Sequence, residues 1–302
     1  MKSNSGQALL LVIITMAVAM TVVLSVVARS ITDVQITTSE EESLRAFSAA
    51  EAGVEKALVT GLQQGADILT DQGDLPDATF EAEVSSFAQN LPAFNFPLEV
   101  ISGDTANVWF VSHDNNNDLV CNSGAGLPCF TGSAVEICWG SSGTPSDTAT
   151  TPAIELVVFY DPTPSAGGSY TDMAVARAAF DPNGGRRGTN NFGPPDGGTC
   201  NINGVNYQFR RTVTFNSLGI PAVSQSSQNG MQLARVRMFY NSTVPHPVGF
   251  RVSGGSLPGQ GRQIESTGQS GDSTRKVQVF TLFPGFPSVF DSVLFSQSPI
   301  TK

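Results

Sequence analysis

Four cysteines and one run of side-chain oxygens are the residues whose types and spacing suit chemistry. Cys121, Cys129, Cys138 and Cys200 form an even set, which in an exported chain points to disulfides, with three pairings open to four cysteines. Cys121 with Cys129 would close a short Gly/Pro loop, leaving Cys138 with Cys200 to join distant segments; zinc ligation and free buried thiols are the alternatives. Zinc has little to work with, because no Cys-x-x-Cys spacing occurs and the two histidines, His113 and His246, are far apart in the chain. The run His113-Asp114-Asn115-Asn116-Asn117-Asp118 sets Asp114, Asn116 and Asp118 at alternate positions, where their oxygens can turn toward one hard cation such as calcium. The glycine and the distant bidentate Glu of a calcium loop are missing, since Leu119 follows directly. An Asx-rich turn between strands is therefore the default reading, and no cofactor is expected.

Catalytic constellations are absent. No P-loop, His-Glu-x-x-His, Gly-x-Ser-x-Gly or Gly-x-Gly-x-x-Gly motif occurs. A pair of carboxylates brought together only in space would leave no sequence trace, but nothing in the chain asks for an enzyme.

The elements that must position these residues begin with a membrane-like segment. No ionisable side chain lies between Lys2 and Arg29, and residues 8–28 as a helix would span roughly 30 Å, about one hydrocarbon core. Helical periodicity continues past the apolar run. Leu44, Phe47, Val54 and Leu58 recur at helical spacing beside Ala46, Ala49, Ala50 and Ala57, with Glu42, Arg45, Glu55 and Lys56 largely elsewhere. One long helix is the economical reading, its outer half carrying an apolar stripe that packs on the rest of the chain. An uncleaved single-pass anchor and a secretory signal cut near Ala17-Val18-Ala19 or Val26-Val27-Ala28 are the alternatives. Neither accounts for the uninterrupted amphipathic continuation.

A short basic leader, Gly6 before the hydrophobic run, and the segment Arg45-Ala46-Phe47-Ser48-Ala49-Ala50-Glu51-Ala52-Gly53-Val54-Glu55 together resemble type IV pilin-like proteins, specifically the PilX/GspK-type minor pilins and pseudopilins. The resemblance implies a leader over residues 1–6, cleavage after Gly6 by a prepilin peptidase and methylation of the new terminus at Gln7. It implies a helix over 7–60, membrane-spanning to about residue 28, that later joins a filament core with other pilin-like subunits. Localisation would be the cytoplasmic membrane with a short inner N-terminus, then a cell-surface filament. Major pilins carry Phe or Met at the first mature position and Glu at the fifth; here these are Gln7 and Leu11. The buried Glu is held to neutralise a neighbour's amino terminus, so its absence fits a minor subunit at a place without that neighbour, the filament tip. An adhesin or other binding module for a surface, glycan or DNA, and a secretion pseudopilin, are the competing functions. The secretion-type relatives include calcium binders, but their ligands do not map onto Asp114, Asn116 and Asp118.

Beyond the helix the composition suits an exported structural protein: 14% charged residues, 30 Gly and 18 Pro give short strands and many turns. Strands are expected near 79–84, 97–101, 107–112, 134–139, 154–160, 173–180, 205–215, 231–240, 248–252 and 275–283, with 261–268 and 273–279 forming a hairpin around the turn 269–272. The fold class is thus α+β: a long N-terminal transmembrane and amphipathic helix, then a mostly antiparallel β-rich globular head over 61–302 in which no convincing second helix is expected. The Gly/Pro-rich stretch 181–203 reads as a loop and the place for any subdivision, and the Phe/Pro-rich tail 283–295 as edge cover or a partner contact.

Net charge is −10, which leaves no general nucleic-acid footprint, but its distribution is uneven. No Lys or Arg lies between Lys56 and Arg177 while fifteen acids do; from Arg177 onward twelve basic residues face five acidic ones. The halves either attract one another within a fold or between subunits, or present the basic half to an anionic surface or DNA, or are unrelated solvated faces.

Overall fold

The computed structural model describes residues 5–60, 69–71, 77–164 and 173–285. Residues 1–4 of the leader, most of the expected helix exit (61–68 and 72–76) and the tail from 286 lie outside them. In chain order the elements are α1 (Ser5–Val59), β1 (Leu69–Asp71), β2 (Thr79–Phe87), β3 (Ala93–Asn95), β4 (Thr105–Trp109), β5 (Ser112–His113), β6 (Leu119–Val120), β7 (Ala134–Ser141), β8 (Ala153–Tyr160), β9 (Ala174–Phe180), α2 (Gly184–Asn190), β10 (Cys200–Ile202), β11 (Val205–Thr214), α3 (Ala222–Ser226), β12 (Met231–Phe239), β13 (Val248–Ser253), β14 (Gly261–Ser270) and β15 (Ser273–Leu282). This is the α+β class read from the sequence, with antiparallel pairing throughout the named ladders.

α1 forms because nothing interrupts it: no proline occurs in its 55 residues, a length of roughly 80 Å. Within the apolar half the hydroxyls of Thr15 and Thr21 donate to the carbonyls of Val12 and Val18, so these side chains carry no unmet donor into an apolar surrounding.

The chain divides into two compact units, Met1–Val84 with Ile264–Val279, and Ser85–Gln263 with Phe280–Lys302. The first contains α1 and, over its residues, the sheet of order β1-β2-β14-β15. Alternation fixes the faces: Phe80, Ala82 and Val84 of β2 are buried while Glu81 and Glu83 are exposed. The 261–268/273–279 hairpin is present as β14 and β15, with Gly271, at a φ of +53°, and Asp272 between the strands.

The second unit is a sandwich of a five-stranded sheet, β10-β11-β7-β13-β3, and a four-stranded sheet, β4-β12-β8-β9. Its core is one cluster in which Val135, Ile137 and Trp139 of β7 share the interior with Ile154, Leu156 and Val158 of β8 and with Ala234, Val236 and Met238 of β12. The acidic and basic stretches of the sequence interleave here, since β7 lies between β11 and β13. Glu136 of β7 is buried and pairs with Arg210 at 3.5 Å and with Arg251.

Three expectations need correction. No strand covers 97–101: Pro97 has no N–H for a ladder, and β3 forms upstream, leaving Val100 in an isolated bridge to His246. Helices other than α1 exist, α2 and α3. The stretch 181–203 lies wholly within the second unit and is organised: the Asn183 side chain accepts from Gly185 N at the N-terminus of α2, and Asn191 closes the helix in the left-handed conformation.

Candidate functional site

Among the described residues one helix is long and apolar enough to cross a membrane. From Leu9 to Val27 its large apolar side chains are exposed on every side, between 49% at Val27 and 72% at Met16. Such an all-round apolar cylinder is stable only in lipid or against other apolar surfaces. Gly6 and Gln7 fall in the first turn of α1 by backbone; their side chains lie outside the description.

The outer half of α1 packs in a manner that the large residues do not predict. Leu44, Phe47 and Leu58 of the expected stripe are 69%, 44% and 46% exposed, whereas Ala46, Ala49, Ala50 and Ala57 are completely buried and Val54 nearly so. The reason is close approach of backbones. A Cβ on Gly268 of β14 would collide with the carbonyl of Ala46 and the amide nitrogen of Ala50, and one on Gly53 would collide with Ser266 Oγ and the Phe80 ring. Small residues on both surfaces bring helix and sheet together, with Ala49 on Phe80 and Ala82, and Val54 and Ala57 on Val84 and Ile264. Polar contacts frame this seam: Arg275 donates to Ser43 Oγ at 2.9 Å and 2.6 Å, and Arg45 lies 3.6 Å from Asp77. A glycine inside an alanine-rich helix was the sequence signal for it.

In the second unit Asp114, Asn116 and Asp118 occupy the connection of the β5-β6 hairpin. Asp114 Oδ1 accepts the backbone N–H groups of Asn116 (2.8 Å) and Asp118 (2.9 Å), and Asn117 takes a left-handed φ of +66°. Arg262 donates to the Asp114 carbonyl at 3.3 Å. The carboxylate is thus used to close an Asx turn, and a guanidinium already sits beside it.

His113 stands at the start of the same polar run, but the structure turns it inward. It is buried, its ring stacks on Phe283 (4.0 Å between centroids) and meets the Trp109 ring edge-on at 4.5 Å. Burial, helped by the positive charge of Arg262 and opposed by Asp114 and the Val111 carbonyl, pushes its pKa down to about 4. The second histidine, His246, is likewise buried and held below its ordinary value by burial, opposed by Glu99; its Nδ1 receives the Ser141 amide at 3.3 Å.

The cysteines pair as Cys121–Cys129, with Cα atoms 5.3 Å apart, and Cys138–Cys200, at 6.0 Å. The first closes the loop after β6. The second ties β7 to β10 across the outer side of the five-stranded sheet, packed with Ile202 and Tyr207, where burial pushes the Tyr207 hydroxyl up to about 12. Glu136 lies near the second pair, but with both sulfurs bonded to each other and the carboxylate bonded to arginines, the arrangement is structural. A further buried ion pair sits at α2, where Arg186 bonds Asp181 through Nη2 at 2.8 Å and Nε at 3.0 Å, donates to Ala149 and Thr151 carbonyls, and stacks on Tyr240.

The arrangement can therefore anchor and pack, and the Ser141 hydroxyl lies 3.1 Å from His246 Nδ1. Comparison with known proteins leaves the family open: no protein-family model, curated protein or solved structure matches this chain.

Proposed function

We propose that this chain is a minor pilin-like structural subunit, made in the cytoplasmic membrane and taking part in assembly or tip formation of a type IV pilus-like filament. The observation that carries the reading is α1, a single helix whose first half presents apolar surface on all sides while its second half is locked by small residues onto a sheet of the same chain. A helix so built is held firmly at one end and offers the other to any apolar surrounding. Its first half can exchange lipid for neighbouring helices without exposure to water, because packing energy of that kind is non-directional. Leader removal between Gly6 and Gln7 would free the end of that helix, with a prepilin peptidase and other pilin-like subunits as the partners. Leu11, in place of an acid, suits a subunit whose helix has no subunit beyond it.

The test is mass spectrometry of the mature N-terminus from membrane and sheared-filament fractions, in cells with and without an active prepilin peptidase. A peptide beginning at Gln7 that vanishes without the peptidase supports the reading. An intact Met1 or Lys2 terminus, or a start near Met20 or Arg29, refutes it and leaves an anchored or secreted β-domain.

A further inference from the structure

Ser141, the last residue of β7, meets His246, which lies between Pro245 and Pro247 in the connection from β12 to β13. Both are fixed by backbone bonds. His246 exchanges N–H and carbonyl bonds with Val100 at 3.0 Å and 2.8 Å, and Gly140 donates to the Pro247 carbonyl at 3.2 Å. Beyond Ser141 the chain turns: Thr144 donates to the Ser141 carbonyl through its N–H (3.1 Å) and its hydroxyl (2.6 Å). Gly143, at a φ of +82°, donates to Gln208 Oε1 at 2.8 Å.

The hydrogen bonds at the ring assign its tautomer. The Ser141 amide lies 3.3 Å from Nδ1, and an amide N–H can only donate, so Nδ1 carries a lone pair and the ring proton sits on Nε2. Burial keeps this imidazole neutral, while the charge of the exposed Glu99 acts in the opposite direction and favours the imidazolium. The Ser141 hydroxyl, 3.1 Å from the same lone pair, therefore points its proton at Nδ1 and leaves its oxygen lone pairs unused by that bond. Other serine hydroxyls of this unit donate to carbonyls, as Ser112 does to Pro128, Ser217 to Thr214 and Ser224 to Asp161. A carbonyl holds such a proton but does not take it, whereas an imidazole does. Ser141 is half-buried and the next two residues, Ser142 and Gly143, are exposed, so a small molecule reaches the turn from solvent.

We propose that Ser141 is an activated nucleophile, with His246 as its general base, that takes the acyl group of small esters. Ser141 Oγ bonds to the carbonyl carbon as its proton passes to His246 Nδ1, and the leaving alcohol departs with that proton. Water, deprotonated by the same nitrogen, then releases the acid and restores the serine. His246 is thus both base and acid, and Glu99 supplies negative charge while the ring is cationic. This inference does not rest on the filament reading.

The neighbouring Ser142 is an internal control, being exposed on the same turn. The detergent-solubilised full chain is treated with an alkyl fluorophosphonate, which forms an Oγ–P bond and loses fluoride, and the adducts are located over time by fragmentation mass spectrometry. Ser141 should be labelled at least about 100-fold faster than Ser142, the lower end of what a positioned base contributes. Equal rates overturn the proposal, and this comparison needs no variant. His246→Gln, with its Tm unchanged, should bring Ser141 down to the rate of Ser142; a folded variant that keeps the native rate overturns the role of His246. The native chain should also hydrolyse p-nitrophenyl acetate and Ser141→Ala should not; equal hydrolysis by the two, or none by either, overturns acyl transfer.

Discussion

Replacing His113 by Gln should remove an acid-sensitive part of the stability of the second unit. The folded chain holds His113 at a pKa of about 4 against an ordinary value of 6.5, so below pH 6.5 the unfolded chain binds the extra proton and the folded chain does not. Stability from the neutral ring is fully present above pH 6.5 and is lost as pH falls toward 4. The complete difference is about 3 kcal/mol, and about 2 kcal/mol of it is gone by pH 5. The cause is steric as much as electrostatic: Phe283 and Trp109 enclose the ring and Arg262 lies beside it, so a charged imidazole has neither water nor an unopposed anion. The assay is urea denaturation of the detergent-solubilised full chain, followed by the fluorescence of Trp109 and Trp139, at pH 7.5 and 5.0. Wild type should lose about 2 kcal/mol more than His113→Gln across that interval; the carboxylates and His246 are common to both chains and cancel. The variant's own loss of ring stacking appears equally at both pH values. Identical pH dependence in the two proteins would falsify the reasoning.

Gly268→Ala should cost about 1–3 kcal/mol by overpacking, read as faster amide exchange at residues 46–57 of α1, because the new Cβ meets helix backbone; Gly188→Ala, with open space around it, should change stability by less than about 0.5 kcal/mol. Removing Cys138–Cys200, which closes a separation of 62 residues, should destabilise by roughly 4 kcal/mol, and removing Cys121–Cys129, with a separation of 8, by roughly 2.5 kcal/mol; equal losses in denaturation experiments would contradict the chain-entropy account. Arg186→Ala leaves the fully buried Asp181 without its guanidinium and should cost about 3–5 kcal/mol, seen as a lowered Tm, while Arg187→Ala, partly exposed on the same helix, should be nearly silent.

Much of the framework was legible in the sequence because it depends on local rules. The charge-free run from Ala8 to Ala28 and the absence of proline define α1, and alternation in stretches such as Phe80-Glu81-Ala82-Glu83-Val84 defines strands and their faces. The hairpin of β14 and β15 follows from its Gly-Asp turn. Where a local rule was set aside the reading failed, as at 97–101, where Pro97 stands inside an otherwise apolar run. The two short helices escaped because α2 is Gly-rich and α3 spans only Ala222–Ser226; α2 depends on its Asn183 and Asn191 caps, and α3, without a side-chain cap, on surroundings such as the buried Ser224–Asp161 hydrogen bond, more than on propensity.

The sequence by itself thus determined the helix, the β-rich head, the classes of its turns and the even set of cysteines, all consequences of interactions over a few residues. Tertiary structure alone decided which face of α1 packs, how the sulfurs pair and what His113 touches. Hydrophobicity ranks Leu44, Phe47 and Leu58 first for burial, but close approach of helix and sheet selects Ala46 and Ala50 against Gly268, and Gly53 against Ser266 and Phe80. The neighbours of His113 come from Trp109, Arg262 and Phe283, two of them far along the chain. Steric fit and desolvation depend on what other segments bring to within a few ångströms, and no local pattern in the chain encodes that meeting.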